Sequence, residues 1–197
     1  MNSTALTPTL PGMDTVISYP THSRDEEAFG DDENVEKLIE TFQWTTGRSQ
    51  AEKRESLTPW FFELWTKAIK AKAERAWHLF PEEVFDRIEE SDETLESPDA
   101  EFLGYVAVKP ETPTMAAVAA IRLLGILTEE QYLETSAVLP KLRDALAHSD
   151  VQRRYYAAKA IWQTGAREGV DALRRRMKRE TSERVRAVIE RAIHVLE

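Results

Sequence analysis

Two stretches near the carboxyl end of this chain are copies of one another. LPKLRDALAHSDVQRRYYAAKAI, residues 139–161, is echoed by VDALRRRMKRETSERVRAVIERAI, residues 170–193. Leu139, Leu142 and Leu146 match Val170, Leu173 and Met177 at an offset of 31. After one further loop residue, Arg154, Ala157, Ala160 and Ile161 return as Arg186, Ile189, Ala192 and Ile193 at an offset of 32. Paired helical patterns recurring at such a period are the mark of stacked helical hairpins. A unit of this kind buries its apolar face only against a neighbour, so two copies require further helices to pack on them.

Those helices are legible upstream. MAAVAAIRLLG (115–125) aligns with YYAAKAIWQTG (155–165) at an offset of 40, which makes a third, degenerate copy. In both, alanines let helices approach closely, and Gly125 and Gly165 stand where a left-handed residue would close a helix. Thr128 with Gln131, and Ser149 with Gln152, have the spacing of capping boxes. Pro140 is expected to bend or restart the stretch between them. The predicted helices run over 113–125, 129–147, 151–164, 168–179 and 183–196.

The first half reads differently. Residues 1–33 are rich in Thr, Pro, Ser and Asp and show no period that would bury a face, which predicts a disordered acidic leader. Val35, Leu38, Ile39 and Phe42 predict a helix over 34–46. Thr58-Pro59 is a helix entry signal, a capping hydroxyl followed by a proline whose missing N–H costs nothing at the first helical position. From it Phe61, Trp65, Ala68, Ile69, Ala73, Trp77 and Phe80 form a single stripe, read as one long helix that Pro81 ends or kinks. Val84, Phe85 and Ile88 then give a short successor, and Ser97-Pro98 opens a segment carrying Phe102, Leu103, Tyr105 and Val106.

Leu139, Leu142, Leu146, Asp150, Arg154, Ala157, Ala158, Ala160, Ile161 and Gly165 together make a pattern that resembles the short HEAT repeats typified by phycobilisome-lyase repeats. The resemblance covers residues 113–197; the second copy departs from it with Ile189 and Glu190 in place of the alanine pair and no final glycine. It implies an all-α fold: a short α-solenoid of HEAT-like hairpins over 111–197, capped by a Trp-rich helical region over 34–110. It also implies that the B helices, among them the one carrying Arg174 to Arg179, line a concave face. One scaffold of this kind carries many activities, so the resemblance speaks for fold and weakly for function.

Catalytic constellations are poorly supplied. There is no cysteine, hence no thiolate nucleophile, thiolate metal site or disulfide. The seven glycines are scattered singly and form no phosphate-binding loop. His22, His78, His148 and His194 are followed by Ser, Leu, Ser and Val, so the His-Glu dipeptides of HEAT-repeat iron hydroxylases are missing. His78, Glu82 and Asp86 would align as ligands on an unbroken helix, but Pro81 is expected to interrupt it. His148-Ser149-Asp150 resembles a triad only in its letters, because adjacent residues at a turn cannot aim at one another. No enzyme, metal or cofactor is expected.

Charge is placed unevenly. Residues 1–100 carry 10 Lys/Arg against 22 Asp/Glu, whereas residues 139–197 carry 14 against 8. The basic run Arg174, Arg175, Arg176, Lys178 and Arg179 is the candidate for binding a partner, beside the alternative of a solvated face or one neutralised by the acidic half of the chain, with Trp44 and Trp162 as candidate exposed aromatic contacts. Arg154 and Arg186, at a fixed place in each copy, are read as structural, with Asp150 as the partner of Arg154. The expected function is a non-enzymatic protein–protein interaction module using this basic face. Two alternatives stand beside it. An immunity or antitoxin-type protein would neutralise a basic toxin or nuclease through the acidic N-terminal half. Nucleic-acid binding through the arginine run is opposed by the net charge of −9. With no signal peptide and no long apolar run, the expected location is cytoplasmic.

Overall fold

The computed structural model describes residues 57–71, 74–91, 94–95 and 97–197, and every regular element in them is helical. In chain order these are α1 (Pro59–Lys70), α2 (Glu74–Ser91), α3 (Ser97–Val108), α4 (Thr114–Glu129), α5 (Thr135–Leu146), α6 (Val151–Gln163), a 3-10 turn (Arg167–Gly169), α7 (Val170–Met177) and α8 (Glu183–Leu196). The leader at 1–33, the helix expected over 34–46 and Trp44 lie outside the described residues. None of the described helices is long and apolar enough to cross a membrane.

The helices contact one another in two rows. In one, α2 packs on α4, α4 on α6 and α6 on α8; in the other, α3 packs on α5 and α5 on α7. Sequence neighbours α3 and α4, α5 and α6, and α7 and α8 close the rows against each other. The matched apolar positions sit where the two rows meet. Leu139, Leu142, Leu146, Val170 and Leu173 are buried, as are Ala157, Ala160 and Ile161 on α6 and Ile189 and Ala192 on α8. Met177 and Ile193 pack on that core from a half-buried position.

At the other end, aromatic rings replace the aliphatic core. Trp65 lies against Trp77, Phe80 and Phe102 with ring centroids 4.7, 5.3 and 5.0 Å away, all edge-to-face. Phe61 joins through Phe80 and Phe102 at 6.0 and 6.4 Å. Such pairs add to the stabilisation from burial. Trp60, Trp65 and Trp77 are all buried, so the tryptophans of α1 and α2 are core residues.

The stripe from Phe61 to Phe80 is divided between α1 and α2, where one continuous helix was expected. Pro81 does not end α2. It is the helix's eighth residue, and it is buried on the same face as Trp77, Phe80, Val84 and Ile88. The ring removes one helical N–H, and its burial on an apolar face offsets that loss. Pro140 likewise lies inside α5, on the exposed side.

Helix ends differ from expectation in an instructive way. Gly125 is buried in the middle of α4, where an added Cβ would sit 3.0 Å from the Ala160 Cβ and 3.1 Å from its Cα. It serves close approach of α4 to α6, and α4 runs a further turn to Glu129. The left-handed residue is Gln131, with φ 66°. Tyr132 N–H donates to the Leu127 carbonyl at 2.8 Å and Gln131 N–H to the Thr128 carbonyl at 3.2 Å, a Schellman closure. Thr128 is therefore inside the helix, donating its hydroxyl to the Leu124 carbonyl, and forms no capping box with Gln131. This turn delays α5 to Thr135. Gly165, also at φ 66°, closes α6.

Two hydroxyls bind carboxylates across helices. Thr58, just before α1, donates its N–H to Asp99 at 2.9 Å and its hydroxyl to the other Asp99 oxygen, where Asp99 is buried in the first turn of α3. Thr114, at the start of α4, donates its hydroxyl at 2.6 Å to Asp150, the N-cap of α6. Pro113 occupies the cap position of α4, one place earlier in the helix than expected.

Candidate partner-binding site: the basic groove between α5 and α7

The second copy of the repeat is built around a buried carboxylate. Glu180, in the turn between α7 and α8, has no exposed side-chain surface. It accepts from Arg154 Nε and Nη2 at 2.8 and 2.9 Å, from Arg176 Nε at 2.8 Å, and from the N–H groups of Thr181 and Ser182 at 3.0 and 2.9 Å. Hydrogen bonding from Arg154 does most to lower its pKa, to about 2, and the Ser182 N–H and Arg176 add to this against the opposing cost of burial.

This hub divides the basic run. Residues advance about 100° each around a helix, so consecutive cations cannot share one face. Arg176 is drawn inward to Glu180, and Arg174 pairs with Glu197 of α8. Lys178, the C-cap of α7, is exposed. Arg175 and Arg179, one turn apart and both exposed, have no carboxylate within ion-pair distance among the described residues. They stand beside a groove of about 280 Å³ whose walls also include Arg143, Leu146 and Ala172. Arg176 forms part of the same lining, so four arginines from α5, α7 and the turn after α7 line one small concavity. Arg143 donates from Nη2 to the Glu168 carbonyl, while its Nε is buried with no acceptor among the described residues.

The remaining candidates have roles inside the fold. Arg154 donates from Nη1 to the carbonyls of His148, at 3.1 Å, and Ser149. Arg186 makes the equivalent contact one repeat later, Nη1 to the Glu180 carbonyl at 3.4 Å, but from an exposed position. Asp150 is not the partner of Arg154. It caps α6, accepting from the N–H groups of Gln152 and Arg153 at 2.7 and 3.2 Å, a role expected of Ser149. Burial pushes the Asp150 carboxyl up, but the bonds from Thr114, Arg153 and Gln152 outweigh it and hold its pKa below the ordinary value.

Trp162 is half-buried on α6, and the Arg191 guanidinium of α8 lies 5.0 Å from its ring centre. Tyr155 and Arg184 form a second such rung at 4.3 Å, seven residues earlier on both helices. Trp162 therefore joins two helices, and one face of its ring is already covered. Near the other end, α2 continues through Pro81, yet the Arg122 guanidinium binds the Glu82 carboxylate and the His78 carbonyl.

Three important residues escaped the reading of the sequence. Arg153 is buried and donates to the carbonyls of Lys109, at 2.7 Å, and Thr112, closing the end of α3 much as a C-terminal cation should. Glu180 lies at the place of His148 one repeat on, a correspondence the offset of 32 contains. Arg143 carries no signal in the sequence, because its meaning comes only from α5 facing α7. Compared with protein families, with curated proteins and with solved structures, the chain matches none.

Proposed function

We propose that this chain is a non-enzymatic protein–protein interaction module, a short α-solenoid of HEAT-like hairpins that takes an acidic segment of another protein into the groove between α5 and α7. The two-row order of helix contacts supports the solenoid reading. One observation carries the binding reading: among the described residues Arg175 and Arg179 have no carboxylate within ion-pair distance and stand beside a concavity, while neighbouring Arg174 and Arg176 are each paired within the fold. Unpaired cations around a concave surface focus positive potential and attract anionic partners. At about 280 Å³ the groove is of a size to take side chains of a partner segment.

The test is binding of a synthetic acidic peptide to the full chain, followed by calorimetry at low and high salt. Binding should weaken steeply with salt and fall at least about tenfold in R175E/R179E. Unchanged binding in that variant would remove the groove from the reading.

A second reading rests on another surface. Tyr132 is 44% exposed, packs on Phe85 of α2 at 6.2 Å and reaches Glu89 at 3.4 Å, and Glu90, Glu129 and Glu130 are exposed on the same helices and turn. An aromatic ring within carboxylates suits a basic partner, as the immunity-protein reading requires. Capture of a basic protein that survives R175E/R179E but is lost in Y132A would favour it.

A further inference from the structure

Resting on the groove reading, we propose that the feature recognised between α5 and α7 is a phosphomonoester, a phosphorylated serine or threonine within an acidic protein segment, and that Arg143, Arg175, Arg176 and Arg179 form its binding site.

The four guanidiniums are held in two different ways. Two are fixed by the fold. Arg143 is tethered through Nη2 to the Glu168 carbonyl and Arg176 through Nε to Glu180. Each contact uses one donor of a planar group that has five, so both present further N–H groups from a set position. Glu180 cannot answer them. Its two oxygens already accept five hydrogen bonds, and its side chain is sealed from the groove's solvent. Arg143, a lining residue, adds a buried Nε donor with no acceptor among the described residues, an arrangement that native proteins seldom leave unexplained.

The other two cations, Arg175 and Arg179, are exposed beside the groove and free to close on a ligand. Donors thus approach one small volume from α5 on one side and from α7 and the turn after it on the other. A carboxylate has a single charge and two oxygens, enough for one or two forks. A phosphomonoester carries nearly two charges and three acceptor oxygens, and arginine matches it in bidentate fashion. Leu146 and Ala172 line the same groove and suit the short aliphatic stem of a phosphorylated side chain. The small volume and apolar lining favour a single phosphorylated side chain over a phosphodiester backbone, which tracks along an extended basic surface.

Calorimetry on the full chain tests this with one short acidic peptide in versions carrying serine, glutamate or phosphoserine at a central position. The phosphoserine peptide should bind about tenfold or more tighter than the glutamate peptide. In R175K/R179K, which keeps both charges and removes both forks, that preference should shrink to within about threefold. Neither arginine side chain has an ion-pair partner among the described residues, so the variant should keep its structure, which circular dichroism checks. Equal binding of the glutamate and phosphoserine peptides would overturn the phosphate assignment while leaving the groove reading in place. No binding by any peptide would overturn both. Free O-phosphoserine binding as tightly as the peptide, or an RNA oligonucleotide binding more tightly, would overturn the assignment to a protein segment.

Discussion

Arg154 and Glu180 form a bidentate ion pair with side chains 5% and 0% exposed, joining the start of α6 to the turn before α8. The pair is satisfied on both sides, by backbone carbonyls on Arg154 and by Arg176 and two N–H groups on Glu180. Removing one member leaves the other buried and uncompensated, which costs about 3–5 kcal/mol. We therefore expect R154M and E180M each to lose about that much in urea unfolding. The double variant should lose clearly less than the sum of the two, because neither charge is left stranded. Additive losses would show that the pair is not a coupled unit.

The same groups set the acid response. Glu180 has a folded pKa of about 2, below its ordinary value near 4.5, so the stability it contributes is full above about pH 4.5 and is lost as pH falls towards 2. Asp150, also held below its ordinary value, adds to this window. His148 belongs to a higher one. Burial, then the Arg153 charge, keeps its pKa below the ordinary 6.5. The folded state therefore resists protonating it, and stability falls as pH drops below about 6.5. Denaturation midpoints against pH should show a shallow decline beginning there and a steeper one below about 4.5. H148Q should flatten the first and leave the second.

How far the sequence foretold this arrangement depended on the kind of interaction. Burial of Val170 and Leu173, and of Ile189 and Ala192, follows from a repeat, since apolar spacing is a local property that stacking preserves. Gly125 misled because glycine has two uses, a left-handed backbone and the absence of a Cβ, and only the position of Ala160 decides between them. Asp150 was given the wrong partner for a similar reason. A carboxylate four residues before an arginine can pair with it or cap the helix they share, and here free amides and the Thr114 hydroxyl won. The groove was half legible. Its α7 cations are adjacent in sequence, but Arg143 enters only through packing of α5 on α7.

Gln131 and Gly165 share φ 66°, the one with a Cβ and the other without. A side chain there costs about 1 kcal/mol against glycine. Q131G is expected to stabilise the protein by up to about that amount and raise Tm by a few degrees. G165A should do the reverse, since nothing lies within 4 Å to compensate an added methyl group. A null result for both in thermal unfolding would contradict these backbone angles.

Tyr155 with Arg184 and Trp162 with Arg191 are two rungs between α6 and α8. Each cation–π contact near the surface is worth about 0.5–1 kcal/mol. A double-mutant cycle on W162L and R191Q should return a coupling of that size, and one on Y155L and R184Q should match it. Crossing the pairs, W162L with R184Q, should give a coupling near zero, because each guanidinium serves its own ring.

Arg175 and Arg179 differ from Arg176 in what holds them, so stability and binding should respond to different substitutions. R175Q, R179Q and K178Q remove exposed cations with no carboxylate partner among the described residues, and each should change unfolding free energy by less than about 0.5 kcal/mol. R174Q breaks only an exposed pair with Glu197 and belongs with them. R176Q takes a donor from the buried Glu180 carboxylate and should cost about 1–3 kcal/mol. Affinity for an acidic peptide should rank them in another order. R175Q and R179Q should weaken it most per unit of stability lost, while R174Q, whose cation is turned to α8, should leave it nearly unchanged. If all five substitutions weakened binding alike, affinity would be tracking net charge, and the groove would have no special part in it.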